Sequence, residues 1–115
     1  MPGGQTPSWG QSYASSVTSY PEVDGTMTLS VPNNQGQPTV TYAITGHTAA
    51  VTSSNYTPSS KELAFTLELD GDSTTCYDFT GTWTPGQGTN GGFDGGCSKV
   101  GPGGGDDDWT ADANG

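Results

Sequence analysis

A chain of 115 residues falls in the size range of one domain, with no room for a second core. Twelve carboxylates against two lysines give a formal net charge of −10, so phosphate backbones and anionic bilayers are repelled, and nucleic acid is not an expected partner. Leu, Ile, Val and Phe number only 14 of 115, a disorder-like fraction, yet three Trp, five Tyr and clear apolar alternation argue for a folded domain with long loops.

The periodicity is two nearly everywhere, and no window carries an apolar stripe at helical spacing. Residues 1–24 read as a polar N-terminal segment in which only 9–17 offers a strand, with Trp9, Gln11, Tyr13 and Ser15 alternating. A β-meander domain is expected over 25–112, followed by a tail at 113–115. Its first clear strand is 25–31, where Met27, Leu29 and Val31 share a face, and Pro32-Asn33-Asn34-Gln35-Gly36 supplies a turn. The next strand, 39–45, sets Val40, Tyr42 and Ile44 inward. Gly46 breaks it before a weaker strand through Ala49 and Val51, so these two are expected to pair as a hairpin.

After a loop rich in Ser, Asn and Pro, residues 62–70 alternate most cleanly, with Leu63, Phe65, Leu67 and Leu69 on one face. Asp70-Gly71-Asp72-Ser73 is turn chemistry. The strand at 75–84 then faces Tyr77, Phe79, Gly81 and Trp83 one way and Cys76, Asp78, Thr80 and Thr82 the other. A short strand about Phe93 and another at 108–111 complete the set, separated by glycine-rich stretches.

Seven or eight short strands with short connections predict an all-β, antiparallel up-and-down meander closed into a barrel, the alternative being a two-sheet sandwich. The Phe79-Thr80-Gly81-Thr82-Trp83-Thr84 segment, set among consecutive short strands, resembles the small calycin-type meander barrels, avidin-like and lipocalin-like proteins. The resemblance spans roughly 25–111 at the level of pattern, implies a closed barrel, and carries over no ligand residues.

Two cysteines in a short chain are a disulfide, two free thiols or half of a metal site. Zinc wants four ligands and His47 is the only histidine, so a Cys76–Cys97 disulfide is the expectation, constraining the unfolded chain by roughly 3 kcal/mol. Strict alternation points Cys76 outward and Cys97 inward, a mismatch that a glycine-associated bulge between Phe93 and Cys97 would repair. The disulfide favours an oxidising, extracellular or cell-surface setting. The N-terminus lacks the charged and apolar regions of a signal peptide, so a secreted form would have lost its signal before Met1. Asn55-Tyr56-Thr57 is an N-glycosylation sequon in a polar stretch. No run reaches the roughly 18 apolar residues that membrane insertion needs.

Tyr42, Tyr77, Trp83 and Trp109 are expected to face the barrel interior, as core filler or as the lining of a small-ligand pocket. Trp9, Tyr13, Tyr20 and Tyr56 lie in polar or loop contexts, suited to anchoring loops over the barrel ends or to stacking on sugars. The acids Asp70, Asp72 and Asp106-Asp107-Asp108 raise a calcium reading, but no closing bidentate Glu follows, and a turn and a solubilising run explain them better. No metal or cofactor is expected. One histidine beside Gly46, two lysines and the outward pair Glu68 and Asp78 assemble no convincing catalytic constellation, so no enzyme activity is expected. The functional expectation is a small extracellular module that binds a small molecule or glycan. The alternative is a self-associating surface or fibre subunit, suggested by the glycine-rich ends and the abundance of Thr, Ser and Gly.

Overall fold

The computed structural model of the protein describes residues 7, 9–87 and 90–113, so the ends at 1–6 and 114–115, which bear on the expected N-terminal segment and tail, lie outside the described residues. Eight strands follow one another: β1 (Gln11–Val17), β2 (Gly25–Leu29), β3 (Val40–Ala43), β4 (Ala49–Thr57), β5 (Glu62–Leu69), β6 (Cys76–Thr84), β7 (Gly92–Val100) and β8 (Gly105–Ala113). They form one antiparallel sheet in the order β3-β2-β1-β8-β7-β6-β5-β4. Because β1 pairs with both β2 and β8, the first and last strands join, and the meander wraps into a nearly closed barrel rather than a two-sheet sandwich. The one helical piece among the described residues is a 3-10 turn, Pro21–Val23.

The barrel stays open at one seam. The expected hairpin of β3 with β4 is reduced to an isolated Ile44–His47 bridge. Beyond it a side chain does the work of a strand: Gln37 Nε2 donates to the Tyr56 carbonyl at 2.7 Å, and the Tyr56 N–H donates to Gln37 Oε1 at 2.9 Å. The carboxamide thus pairs with β4 as a facing strand residue would.

Three segments are longer than their sequence suggests. Residues 52–57, read as loop, continue β4; β7 extends well past Phe93; and the Asp106-Asp107-Asp108 run lies inside β8 rather than in a solubilising tail. In each, the outward positions are mostly small or polar and the inward ones are often small, so hydrophobic alternation is weak although a ladder runs the length of each strand.

The disulfide does not form. Cys97 pairs with Phe79, three positions along β6 from Cys76, which at about 3.3 Å per residue places the two Cα atoms roughly 10 Å apart, beyond disulfide reach. An odd offset also puts them on opposite faces: Cys97 is buried, Cys76 only partly so, and both are free thiols. The β6/β7 ladder runs without a shift from Gly92 to Val100, so the bulge expected near Phe93 is absent there. The irregularity in the sheet sits in β4, between Val51 and Ser53.

With few aliphatics available, rings fill the interior. Phe65 stacks on Phe79 at 4.6 Å, and Trp109 meets both edge-on at 5.6 and 5.3 Å. Toward the other end Trp83 packs edge-on against Phe93 at 5.7 Å, and Tyr13 lies 5.5 Å from Phe93. Two glycines shape this region, Gly81 making room for Trp109 and Gly95 letting β7 approach the backbone of β6. In register, Trp109 of β8 opposes Gly95 of β7, which opposes Gly81 of β6. A Cβ at Gly81 would lie 2.7 Å from Trp109 Cζ3, so the indole covers a glycine floor, the arrangement by which aromatic rings rescue glycine in sheets.

Polar atoms in this core are satisfied by one chain of hydrogen bonds. Trp109 Nε1 donates to Ser15 Oγ at 2.7 Å, and Ser15 and the Tyr42 hydroxyl are bonded at 2.7 Å. The Tyr42 hydroxyl also contacts the Val23 carbonyl. A carbonyl can only accept and an indole N–H can only donate, so the protons run in one direction, from Trp109 to Ser15 to Tyr42 to Val23. Burial pushes the Tyr42 phenol up to about 12, opposed in part by the hydrogen bond from Ser15.

Three substitutions test this packing. A Cβ at position 95 would sit 2.0 Å from the Thr80 carbonyl oxygen and 2.6 Å from Gly81 Cα, whereas at Gly86 it would meet nothing within 4 Å. Gly95→Ala is expected to cost about 1–3 kcal/mol or more in chemical denaturation, and Gly86→Ala to be near neutral. Ser15→Ala leaves the buried indole N–H without its acceptor and is expected to cost about 1–3 kcal/mol. A Ser15→Ala denaturation curve superimposing on the native one would show that the chain of hydrogen bonds is not needed.

Candidate functional site

The connections β1–β2, β3–β4, β5–β6 and β7–β8 share one end of a meander barrel, and that end gathers the unusual chemistry. Pro21 suits the first position of the 3-10 turn, and Asp24 fixes the turn's exit by accepting the Val17 N–H at 2.9 Å. The turn drives Val23 into the core, fully buried, and holds Glu22 over the barrel mouth.

Lys99 reaches the same place from β7. It lies an even number of residues from Phe93 and Cys97, so it keeps their inward phase at the strand end, where its stem covers apolar surface and its ammonium stays at the rim. Its Nζ is 3.7 Å from Glu22 Oε2 and 5.7 Å from the centroids of both Tyr20 and Tyr77. Those two rings meet edge-on at 5.9 Å. The Tyr77 hydroxyl donates to Glu22 Oε2 at 2.9 Å, and burial, then this bond to a carboxylate, moves the phenol well above its ordinary range. A cation held between two aromatic faces and a carboxylate is a fixed charge rather than a waving surface lysine.

Beside this cluster opens a cleft of about 330 Å3 lined by Leu69, Asp70, Asp72, Thr75, Tyr77 and Lys99. Asp70 adopts a left-handed backbone, φ 54°, ahead of Gly71 at φ 75°, which makes the tight β5–β6 turn. His47 Nδ1 lies 2.8 Å from Asp70 Oδ2, and the Thr48 N–H donates to Asp70 Oδ1 at 2.9 Å; the His47 bond, then the Thr48 one, hold the Asp70 carboxyl below its usual range. The Thr74 hydroxyl and N–H do the same for Asp72. Both acids are therefore ionised at neutral pH. The mouth offers a cation, two ring faces, a hydroxyl and two carboxylates around an apolar floor.

A second concavity, of about 470 Å3, runs over the outer face of β6–β8 between Asp78, Thr80, Gly96, Ser98, Asp106 and Asp107. Within it Ser98 bonds Asp106, one Asp107 oxygen is buried without a partner, and no lysine or arginine lines it. Among the described residues no group of three or more His, Cys, Asp or Glu is placed to hold a metal.

The four aromatics expected to line a pocket are dispersed. Trp109 is 0%, Tyr77 3%, Trp83 4% and Tyr42 8% exposed. Tyr42 and Trp109 meet through Ser15 in the core, Trp83 lies toward the opposite end, and Tyr77 alone reaches the cleft. Of the aromatics read as loop-borne, Tyr13 is in the core, Trp9 packs edge-on against buried Tyr56 at 5.2 Å, and Tyr20 belongs to the mouth. Asn55 is exposed, on the edge of β4 rather than in a loop, with Nδ2 3.5 Å from Thr57 Oγ1. Asp78 is engaged by the Thr66 hydroxyl at 2.7 Å, and Glu68 lies opposite Cys76, which sets the two acids diagonally across β5 and β6. Glu22 and Lys99 escaped the sequence reading. The inward phase of Lys99 was the available signal; Glu22 had none.

No family model matches this chain, and neither does any curated protein or solved structure.

The thiols give a direct test. Burial, with Asp78 and then other carboxylates nearby, pushes Cys97 up to about 12, so it stays a protonated, inert thiol, and Cys76 is also raised. Unreduced protein denatured in iodoacetamide is expected to take up two adducts by intact mass, while the native protein leaves Cys97 unmodified. A mass with no adducts would restore the disulfide.

Proposed function

We propose that the protein is a small non-enzymatic binding module whose recognition site is the barrel mouth, taking a polyhydroxylated small molecule or a glycan unit. The observation that carries this reading is Lys99 held between the Tyr20 and Tyr77 rings beside a cleft edged by Asp70, Asp72 and Thr75. The half-buried Tyr20 ring stacks on the C–H surface of a sugar, and fixed carboxylates and the Thr75 hydroxyl suit its hydroxyl groups. The tightly packed interior favours the mouth over the lumen, since rings occupy the space a ligand would need.

The meander order and the β1–β8 closure support the resemblance to calycin-type barrels at the level of the fold. An extracellular or cell-surface setting is supported by the exposed sequon at Asn55 and no longer by a disulfide.

Titration of isotopically labelled protein with a panel of neutral oligosaccharides, followed by amide NMR, tests the proposal. Saturable shifts at Thr75, Tyr77 and Lys99, lost in Lys99→Ala and in Tyr20→Ala, are the expected result. Absence of saturable shifts across the panel, or shifts confined to the outer face of β6–β8, would overturn it.

A further inference from the structure

The charges of this chain are divided between the two halves of the barrel. Of the twelve carboxylates, Glu22 and Asp24 flank the 3-10 turn and the other ten lie from Glu62 onward, on β5–β8 and their connections. Both lysines, Lys61 and Lys99, also lie outside the first four strands. The strands β1 to β4 contain no Asp, Glu, Lys, Arg or His. Their exposed positions include Ala14, Ser16, Thr26, Thr28, Thr41, Ala43 and Ser53, all small and neutral.

The neutral half also carries the barrel's one broken ladder. β4 pairs with β5 along its length but has no ladder on its other side. Tyr56 turns its N–H and C=O toward the seam, where Gln37 takes both. By the alternation of an antiparallel strand, Ser54 turns its own pair the same way, and no partner meets them among the described residues. Residues 52–55 are exposed, and between the Gln37 pair and the Ile44–His47 bridge this edge is guarded by the bulge between Val51 and Ser53, with no lysine or proline in β4 itself.

We propose that the outer face of β1–β4, with the open edge of β4, is the contact surface between two copies of this chain. The choice of a second copy follows from charge. At a formal net charge of −10 two copies repel wherever their acidic halves approach, and the uncharged half is where they meet without that cost. A basic partner would select the opposite, acidic half, and a flat glycan surface would find no exposed ring on the outer face of these strands. Small neutral side chains let the two backbones approach closely, and a two-fold arrangement buries the same face on both copies. The acidic halves then point away from each other.

Sedimentation velocity of the full chain over a concentration series is the test, at low and high salt. The expected result is a reversible dimer whose association is unchanged or strengthened by salt, because the long-range force between copies is repulsive. Thr28→Asp and Ser53→Asp, which place charge on the neutral face, are expected to weaken dimerisation about tenfold or more, while Thr82→Asp on β6 leaves the constant within about twofold of the native one. Circular dichroism establishes that each variant is folded. Should either interface variant unfold, hydrogen exchange of the native protein decides instead: added concentration must protect the amides of β1–β4 and not those of β6–β8. A monomer at every concentration in high salt, a dimer indifferent to both charged variants, or protection confined to the acidic half would overturn the proposal.

Discussion

The contact between the Trp109 indole and the glycines facing it is the constraint on which the barrel depends. A chain with so few aliphatic residues cannot fill an eight-stranded barrel with Leu, Ile and Val, so large rings must do it. A large ring needs a place to lie. Gly81 of β6 leaves that place by carrying no side chain, Gly95 of the intervening β7 lets the two backbones approach closely, and the indole covers the glycine backbone. Its N–H would be stranded in an apolar core, and Ser15, the one buried polar residue among the described residues, accepts it. The same serine passes the bond on to Tyr42 and so to the 3-10 turn. Packing at one residue thereby ties the last strand to the first, to the third and to the cap that carries Glu22.

Closure at β1–β8 moves the barrel's weak point to β3–β4. A four-residue β3 is too short to pair along a nine-residue β4, and the bulge in β4 turns the strand away where pairing would continue. The Gln37 carboxamide answers part of this deficit. It turns one N–H and its C=O to the same side, as a facing strand residue does, and it meets both polar groups of Tyr56 without requiring the chain there to be a strand. The seam is consequently stapled at both ends, by Gln37 and by the Ile44–His47 bridge, and open between them.

Much of the fold was legible because burial in a sheet is written at period two. β5 and β6 show it best: Leu63, Phe65 and Leu67, then Tyr77, Phe79 and Trp83, are all buried as their spacing requires. Where the inward positions are small, the signal fades, which is why β7 and β8 read as short strands around single aromatics. In β4 the run Thr52-Ser53-Ser54 has no apolar residue to mark a phase, so neither the continuation of the strand past Val51 nor its bulge was visible. The cysteines teach the converse. Their phases, Cys76 outward and Cys97 inward, were readable and correct, and the expectation of a disulfide failed because it needed a bulge that a regular ladder excludes. The mouth was legible in part: Lys99 kept the phase of its strand, while the position of Glu22 depends on a turn whose path only the folded chain determines.

The lopsided distribution of charge follows from how each half of the barrel meets its neighbours. On β6–β8 the outward carboxylates are not idle: Asp78 accepts from Thr66, Asp106 from Ser98 and Asp112 from Gln87, so neighbouring strands and connections are held by bonds that need an ionised or accepting oxygen. Gathering acids there leaves mutual repulsion that water screens well, since these positions are largely exposed. On β1–β4 neighbouring outward residues are Thr, Ser and Ala, which pair across strands through small contacts and raise no field. A protein with one wet, anionic half and one neutral half has an orientation imposed on any encounter with its own kind. Even if the neutral face were only weakly adhesive, repulsion on the other side would select that geometry over the rest.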